Sequence, residues 1–311
     1  MTHLRRTHTR RSFLRSSVMA GGALAAGCRT TLGPSSDVAP DFSIAFLSDP
    51  HVQAEKGAAR GFAQAVSHAL AQASPPERFI TGGDLVFDIL ETDVQAADEQ
   101  FDLFDAALSG VRVPVHHTIG NHDVLGVRES SGLDPSHPRY GKAYVLERLG
   151  MERTYHSFDH EGWHFVILDT IGIVGRNYRG WVDEEQIAWL ADDLAAANRP
   201  TVVVGHIPLV SNWWEWNRGT EPPIPAGVTV VNAHEVISVL ARHPVRLVLG
   251  GHLHVVERFQ YKGIEFANLG AVSGNWWNGL RDGFEEGYSM LDFRGDQVSW
   301  RYVDYGWEVE G

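Results

Sequence analysis

Val113-Pro114-Val115-His116-His117-Thr118-Ile119-Gly120-Asn121-His122-Asp123 passes from a short, largely apolar run through a glycine into three polar side chains. The run has the length of a strand, and the glycine permits a sharp turn that releases the polar residues at its end. The same arrangement recurs on both sides. Phe42-Ser43-Ile44-Ala45-Phe46-Leu47-Ser48-Asp49 reads as a buried strand delivering a carboxylate, and Arg78 to Thr81 leads into Gly82-Gly83-Asp84. Further on, Phe165 to Leu168 precedes Asp169, Thr201 to Val204 precedes Gly205-His206, and Val245 to Leu249 precedes Gly250-Gly251-His252.

Helical spacing fills the gaps between these strands. Ala63, Val66, Ala69, Leu70 and Ala73 recur at three- and four-residue intervals, and helices are expected at about 91–109, 183–197 and 232–242. The C-terminal third alternates with period two over Val255 to Phe266, Tyr288 to Phe293 and Gln297 to Tyr302, which predicts antiparallel strands. Strands alternating with helices indicate a layered α/β domain whose site lies beyond the strand ends. With no internal repeat and no interior linker, a single domain is expected.

The 311 residues are 43% hydrophobic, enough for a large core, so intrinsic disorder is excluded for most of the chain. One cysteine, Cys28, excludes an intramolecular disulfide and a cysteine-based zinc finger. A net charge of −13 argues against binding nucleic-acid polymers, which requires a basic footprint. The 16 histidines invite a search for metal ligands.

Residues 1–27 hold five arginines and no acidic residue, and end in the apolar stretch Val18 to Gly27. A basic segment before a short apolar one reads as an export signal, too short for a permanent membrane span. Arg10-Arg11-Ser12-Phe13-Leu14 resembles the twin-arginine motif, implying passage through the Tat export machinery in the folded state. Ala25-Ala26-Gly27-Cys28 looks like a lipobox that would lipidate Cys28, although Ala25 stands where Leu is usual. Ordinary cleavage after Ala23-Leu24-Ala25 is the alternative. Either way an extracytoplasmic bacterial protein is expected, periplasmic or tethered on the outer side. Residues 28–41 then read as a flexible spacer and 42–311 as the folded domain. Without its leader the chain carries 21 basic against 39 acidic residues, a more acidic balance of −18.

Carboxylates, a carboxamide and imidazoles at the ends of neighbouring strands converge in space, and this donor set suits Mn, Fe or Zn. Taken in order, Asp49-Pro50-His51, Gly82-Gly83-Asp84, Gly120-Asn121-His122-Asp123, Gly205-His206 and Gly250-Gly251-His252-Leu253-His254 resemble the five blocks of the calcineurin-like metallophosphoesterases. The resemblance spans about residues 42–302 and implies a four-layer α/β/β/α sandwich with two divalent metal ions. It assigns Asp49, His51 and His254 to one ion, Asn121, His206 and His252 to the other, and Asp84 to both. It implies that His122 contacts the scissile phosphate and protonates the leaving oxygen, with Asp123 orienting its imidazole. Two ions in such a site neutralise phosphate oxygens and align in-line attack by water.

Purple acid phosphatases, a branch of this family, place a tyrosine three residues after the bridging aspartate. Phe87 occupies that position here, so a colourless or weakly coloured Mn, Fe(II) or Zn enzyme is expected. His116 and His117 precede the Asn-His-Asp block within a strand and read as packing groups. Trp213, Trp214 and Trp216 follow the Gly205-His206 block, while Trp276 and Trp277 follow the last ligand block. Half of the chain's ten tryptophans thus fall in two loops near the expected site, forming an aromatic wall for a flat organic group. Trp213, Trp214, Trp276 and Trp277 are accordingly assigned to substrate. Covering the core, or resting on the lipid headgroups of a tethered protein, is the competing role for these rings. Arg128, Arg139, Arg176, Arg179 and Arg218 are candidate phosphate contacts.

The expected activity is hydrolysis of a small organic phosphodiester, cyclic nucleotides included. A phosphomonoesterase that scavenges phosphate outside the cytoplasm is the second reading, supported by the export signal. A metal-loaded envelope lipoprotein without turnover is the third.

Overall fold

The computed structural model describes residues 39–309, and the expected export signal, with Cys28, lies outside them. Two sheets form the centre. The first has the order β13-β12-β1-β2-β3, made from β1 (Phe42–Leu47), β2 (Arg78–Gly82), β3 (Val115–Thr118), β12 (Gly287–Arg294) and β13 (Gln297–Asp304). The second runs β10-β11-β9-β8-β5-β4, with β4 (His156–His160), β5 (Trp163–Ile167), β8 (Thr201–Val204), β9 (Val245–Gly250), β10 (Val256–Tyr261) and β11 (Ile264–Leu269). A separate hairpin joins β6 (Ile171–Val174) to β7 (Asn177–Gly180).

Every residue of β1 and β8 is buried, which explains their unbroken apolar reading: both faces of each strand are covered. The inner faces meet in one apolar layer that includes Phe46, Ile80, Phe165, Val204, Leu249 and Phe293. Outside the first sheet, α1 (Ala58–Leu70) and α2 (Val94–Leu108) pack Phe62 on Phe104 with centroids 5.4 Å apart, and α3 (Lys142–Leu149) joins them through Tyr144 and Val145. Outside the second, α4 (Glu184–Ala197) and α6 (Ala233–Leu240) contribute Leu190, Leu194, Val236 and Leu240. The layers are therefore α/β/β/α, as expected.

Helix ends follow local chemistry. Asp93 caps α2 by accepting from Ala96 N at 3.0 Å, and Asp183 caps α4 by accepting from Gln186 N at 2.8 Å. Such caps are worth about 1 kcal/mol each.

Pairing is parallel for β1-β2-β3 and for β5-β8-β9-β11, so these strands release their following loops at one edge of each sheet. The C-terminal third departs from the antiparallel expectation in one strand. β11 is antiparallel to β10 but parallel to β9, because the tight turn at Lys262-Gly263 returns the chain beside β9. The tryptophan loop after β11 consequently emerges at the same edge as the ligand-bearing loops. Among the described residues no helix is long and apolar enough to cross a membrane.

Candidate metal centre

Five turns after parallel strands carry the polar groups. Asp49 and His51 follow β1, Asp84 follows β2, Asn121 and His122 follow β3, His206 follows β8, and His252 and His254 follow β9. Asp49, His51, Asp84, His252 and His254 all have left-handed backbone, with φ between 41° and 71°. Bulky residues rarely adopt this conformation, and it persists where the surroundings over-determine it. Here Asp49 N donates to Gly83 O and His51 N to Asp84 O, each at 3.0 Å, while His252 N reaches the Asp49 carboxylate. Gly120 has to lack a side chain, since a Cβ there would lie 2.1 Å from Asp84 Oδ1.

The side chains converge in two groups, buried except for half-buried His252. Asp49, His51 and His254 form the first, with His254 Nε2 3.3 Å from Asp49 Oδ1 and 3.2 Å from His51 Nε2. Asp84, His206 and His252 form the second, where His206 Nε2 lies 3.2 Å from Asp84 Oδ2 and 3.3 Å from Asn121 Oδ1. The same Asp84 Oδ2 is 3.6 Å from His51 Nε2, so one carboxylate stands between the groups.

Each imidazole is fixed from behind by a carbonyl: His51 Nδ1 by Phe87 O, His206 Nδ1 by Gly82 O, His254 Nδ1 by Gly274 O and His252 Nε2 by Gly227 O. These contacts turn the remaining ring nitrogen toward the centre, as outer partners do for metal-binding histidines. His252 Nδ1 is buried without any partner, a costly state that a cation would relieve. Burial drives His51 down to about 3, and burial with neighbouring His206 drives His252 to about 4, so both rings are neutral with a lone pair available. Burial opposes charge on Asp84, yet His206 and His122 hold its carboxyl well below the usual range. These residues fit two divalent cations.

The family signature of the calcineurin-like phosphoesterases matches residues 42–256. The chain belongs to the calcineurin-like phosphoesterases. No curated protein matches it in sequence. A dimetal phosphatase from Danio rerio is similar in structure, with TM-score 0.61 at 16% identity over 86% of this chain and 97% of that one. GAP50, the anchor in the inner membrane complex of Plasmodium, is similar with TM-score 0.52 at 13% identity over 85% of this chain and 84% of that one. At such identities the likeness is one of fold. Family and site together make the chain a metal-dependent phosphoester hydrolase.

The chain sets His122 at the edge of the centre. Its side chain is 25% exposed and its Nε2 lies 4.0 Å from Asp84 Oδ2. The carboxylate facing Nδ1 is not Asp123. Asp88 Oδ1 is 3.4 Å away, whereas Asp123 is committed to backbone amides: Oδ1 to Leu85 N at 2.8 Å and Oδ2 to Gly120 N at 2.7 Å. Asp123 thus ties the turn after β3 to the turn after β2, and Asp88 is the carboxylate at ion-pair distance from His122 Nδ1. Burial works against charge on His122, but Asp84, Asp88 and Asp123 raise it to about 9.

The four tryptophans separate. Trp277 is 1% exposed, packs with the α1–α2 core, and donates from Nε1 to Pro50 O and His51 O at 3.1 and 3.2 Å. Its assignment to substrate is therefore corrected: it anchors the ligand-bearing turn after β1. Anchored this way, the loop holds Trp276 and Trp277 at φ of 50° and 66° and presents the Trp276 ring 4.4 Å from His254 and 5.7 Å from His51. Trp213 and Trp214 begin α5 (Trp213–Arg218). Trp213 Nε1 donates to Asp282 Oδ2 at 2.8 Å, whereas Trp214 Nε1 turns to Pro222 O within its own insert. Buried Glu257 pins the approach to α5 by accepting from Ser211 Oγ and Asn212 N.

Of the arginines singled out from the sequence, Arg128 approaches the second group through Tyr178. It sits 6.0 Å over Tyr178, whose ring is 6.5 Å from His252. Arg139 is bound to Glu147, Arg176 to backbone carbonyls, and Arg179 lies over Trp181. His116 stacks on Phe158 at 3.5 Å and His117 meets Thr81 Oγ1 at 3.1 Å, both in packing roles. Asp169 is held by Lys142 and Thr154, outside the centre. Phe87 brings its carbonyl, not its ring, to His51.

Proposed function

We propose that the chain is a phosphodiesterase for small organic phosphodiesters, cyclic nucleotides included. The observation that carries this reading is Trp276, an indole held by a strained, anchored loop against the imidazole of His254. A flat ester arm stacking there would leave its phosphorus over the two ligand groups. Asp49, His51 and His254 with Asn121, His206, His252 and the shared Asp84 would hold two divalent cations, which would supply charge neutralisation at the phosphate oxygens and a more acidic water. His122 supplies the proton to the leaving oxygen from Nε2, because Nδ1 faces Asp88, whose charge favours the protonated ring. Asp84 fixes the backbone of the same residue by accepting from His122 N at 2.9 Å.

Fold alone does not imply turnover, and a structural neighbour of this chain is an anchor protein. The acid–carboxylate pair of His122 and Asp88 favours catalysis over anchoring. We further propose export by a twin-arginine signal, with Cys28 as lipid anchor and manganese, iron or zinc as the metal. The test is the ratio of kcat/KM for bis-p-nitrophenyl phosphate over p-nitrophenyl phosphate with manganese-saturated protein. A ratio well above one is expected. A ratio well below one would replace this reading with the phosphate-scavenging monoesterase, which the expected export signal favours.

A further inference from the structure

The loop that presents Trp276 carries an arginine whose hydrogen-bonding capacity is unspent. Arg281 Cζ lies 5.3 Å from the Trp276 ring and 5.6 Å from the Trp213 ring, so two indoles brace one guanidinium. Among the described residues it donates no side-chain hydrogen bond, and its Nε is buried without an acceptor. Its nearest carboxylate is Asp282, with Oδ2 3.8 Å from Nε, and that oxygen already accepts from Trp213 Nε1 at 2.8 Å. The side chain is 27% exposed and remains accessible.

Its backbone is fixed as well. Arg281 and Phe284 exchange two main-chain hydrogen bonds of 2.9 Å across a turn with Asp282 and Gly283 at positive φ. Glu257 independently holds the start of α5, which sets Trp213. The guanidinium is thus positioned from two loops, beyond the indole that borders the first ligand group. A planar guanidinium held by aromatic faces, with donors left over, is suited to a planar or tetrahedral oxyanion. Unpaired donors of this kind are costly unless a ligand satisfies them.

We propose that Arg281 is a specificity-determining residue that binds a second anionic group, carboxylate or phosphate, on the ester arm stacked against Trp276. The preferred substrates are then phosphodiesters with one arm bearing a further negative charge. The inference rests on the diesterase reading above.

The test compares phenyl p-nitrophenyl phosphate with its analogues carrying a para-carboxylate or a para-phosphonate on the phenyl arm. Wild-type protein should favour the charged arms, the two analogues telling which oxyanion fits. Arg281→Gln should lower kcat/KM for the favoured charged probe by about 10–100-fold through KM, the range for a hydrogen bond to a charged group. The uncharged probe should change less than about twofold, and Arg281→Lys should recover part of the loss. Equal losses on all probes, or a shifted Tm, would make Arg281 a brace between the loops and overturn the proposal. So would a wild-type enzyme indifferent to arm charge. If wild-type protein hydrolyses no diester, the diesterase reading fails, and calorimetric titration with phenylphosphonate and 4-carboxyphenylphosphonate still decides the role of Arg281. Tighter binding of the carboxylated probe, lost in Arg281→Gln, upholds it; equal affinities overturn it.

Discussion

The two sides of the active site are built by different means. On the metal side, short turns after parallel strands hold seven polar side chains in place, five of them on left-handed backbone, and neighbouring turns bind the amides of Asp49, His51 and His252. On the rim, rings and cations sit on longer loops. There Trp277 is locked into the core, Trp276 is displayed, and Trp216 is 69% exposed. The difference teaches that sheet geometry alone can assemble the chemistry, whereas recognition depends on a few buried anchors within otherwise variable loops.

The sharpest break in this comparison is at His122. His122→Ala should lower kcat by about 10²–10⁴-fold, the usual worth of a general acid, while metal content stays at the wild-type level. Activity assays paired with elemental analysis check this, and full activity would refute the assigned role. Next comes the rim anchor. Trp277→Ala should destabilise the protein by about 3–5 kcal/mol in denaturant unfolding, as for other buried aromatics. Trp276→Ala should leave stability nearly unchanged and raise KM, and a large stability loss in that variant would erase the distinction between anchor and displayed ring.

A smaller effect sharpens the metal side. Asp88→Asn should reduce kcat by roughly 10–100-fold, the scale for a partner that orients an imidazole. The same substitution at Asp123 should lower stability instead, since its carboxylate binds only backbone amides.

The smallest effect concerns pH. Burial depresses His117 from 6.5 to about 4, so the folded protein keeps it neutral while the unfolded chain protonates it first. Its contribution is complete above pH 6.5 and is lost as pH falls toward 4, at about 1.4 kcal/mol per pH unit. Urea unfolding at pH 7, 5 and 4 should show a shallower decline in His117→Gln than in wild type. Parallel declines would contradict the assignment.

How much of this could be read in advance follows from the same contrast. Asp49, Asp84, Asn121, His206 and His252 each stand just after an apolar run, so a local pattern exposed them and the sheet did the rest. A layered α/β domain was equally legible, because fully buried strands such as β1 and β8 leave an unbroken apolar signature, whereas the four-layer order came from the family resemblance. Asp88 was missed although it lies four residues beyond Asp84 in the same turn. Which carboxylate meets His122 depends on how the turns after β2 and β3 pack, and spacing does not encode that. Trp276 and Trp277 are adjacent and chemically identical, yet a single change of direction in a strained loop sends one into the core and the other to the site. Arg281 had no motif to mark it, since its significance comes from two indoles contributed by loops far apart in sequence. The direction of β11 escaped for a related reason: alternation reports a half-buried face and is silent on which neighbour the strand joins.

The most direct test of the central claim is an anomalous difference map from crystals of the manganese-loaded protein. Two peaks are predicted, one at Asp49, His51 and His254, the other at Asn121, His206 and His252, with the Asp84 carboxylate between them. A single peak, or two peaks that do not share Asp84, would contradict the account.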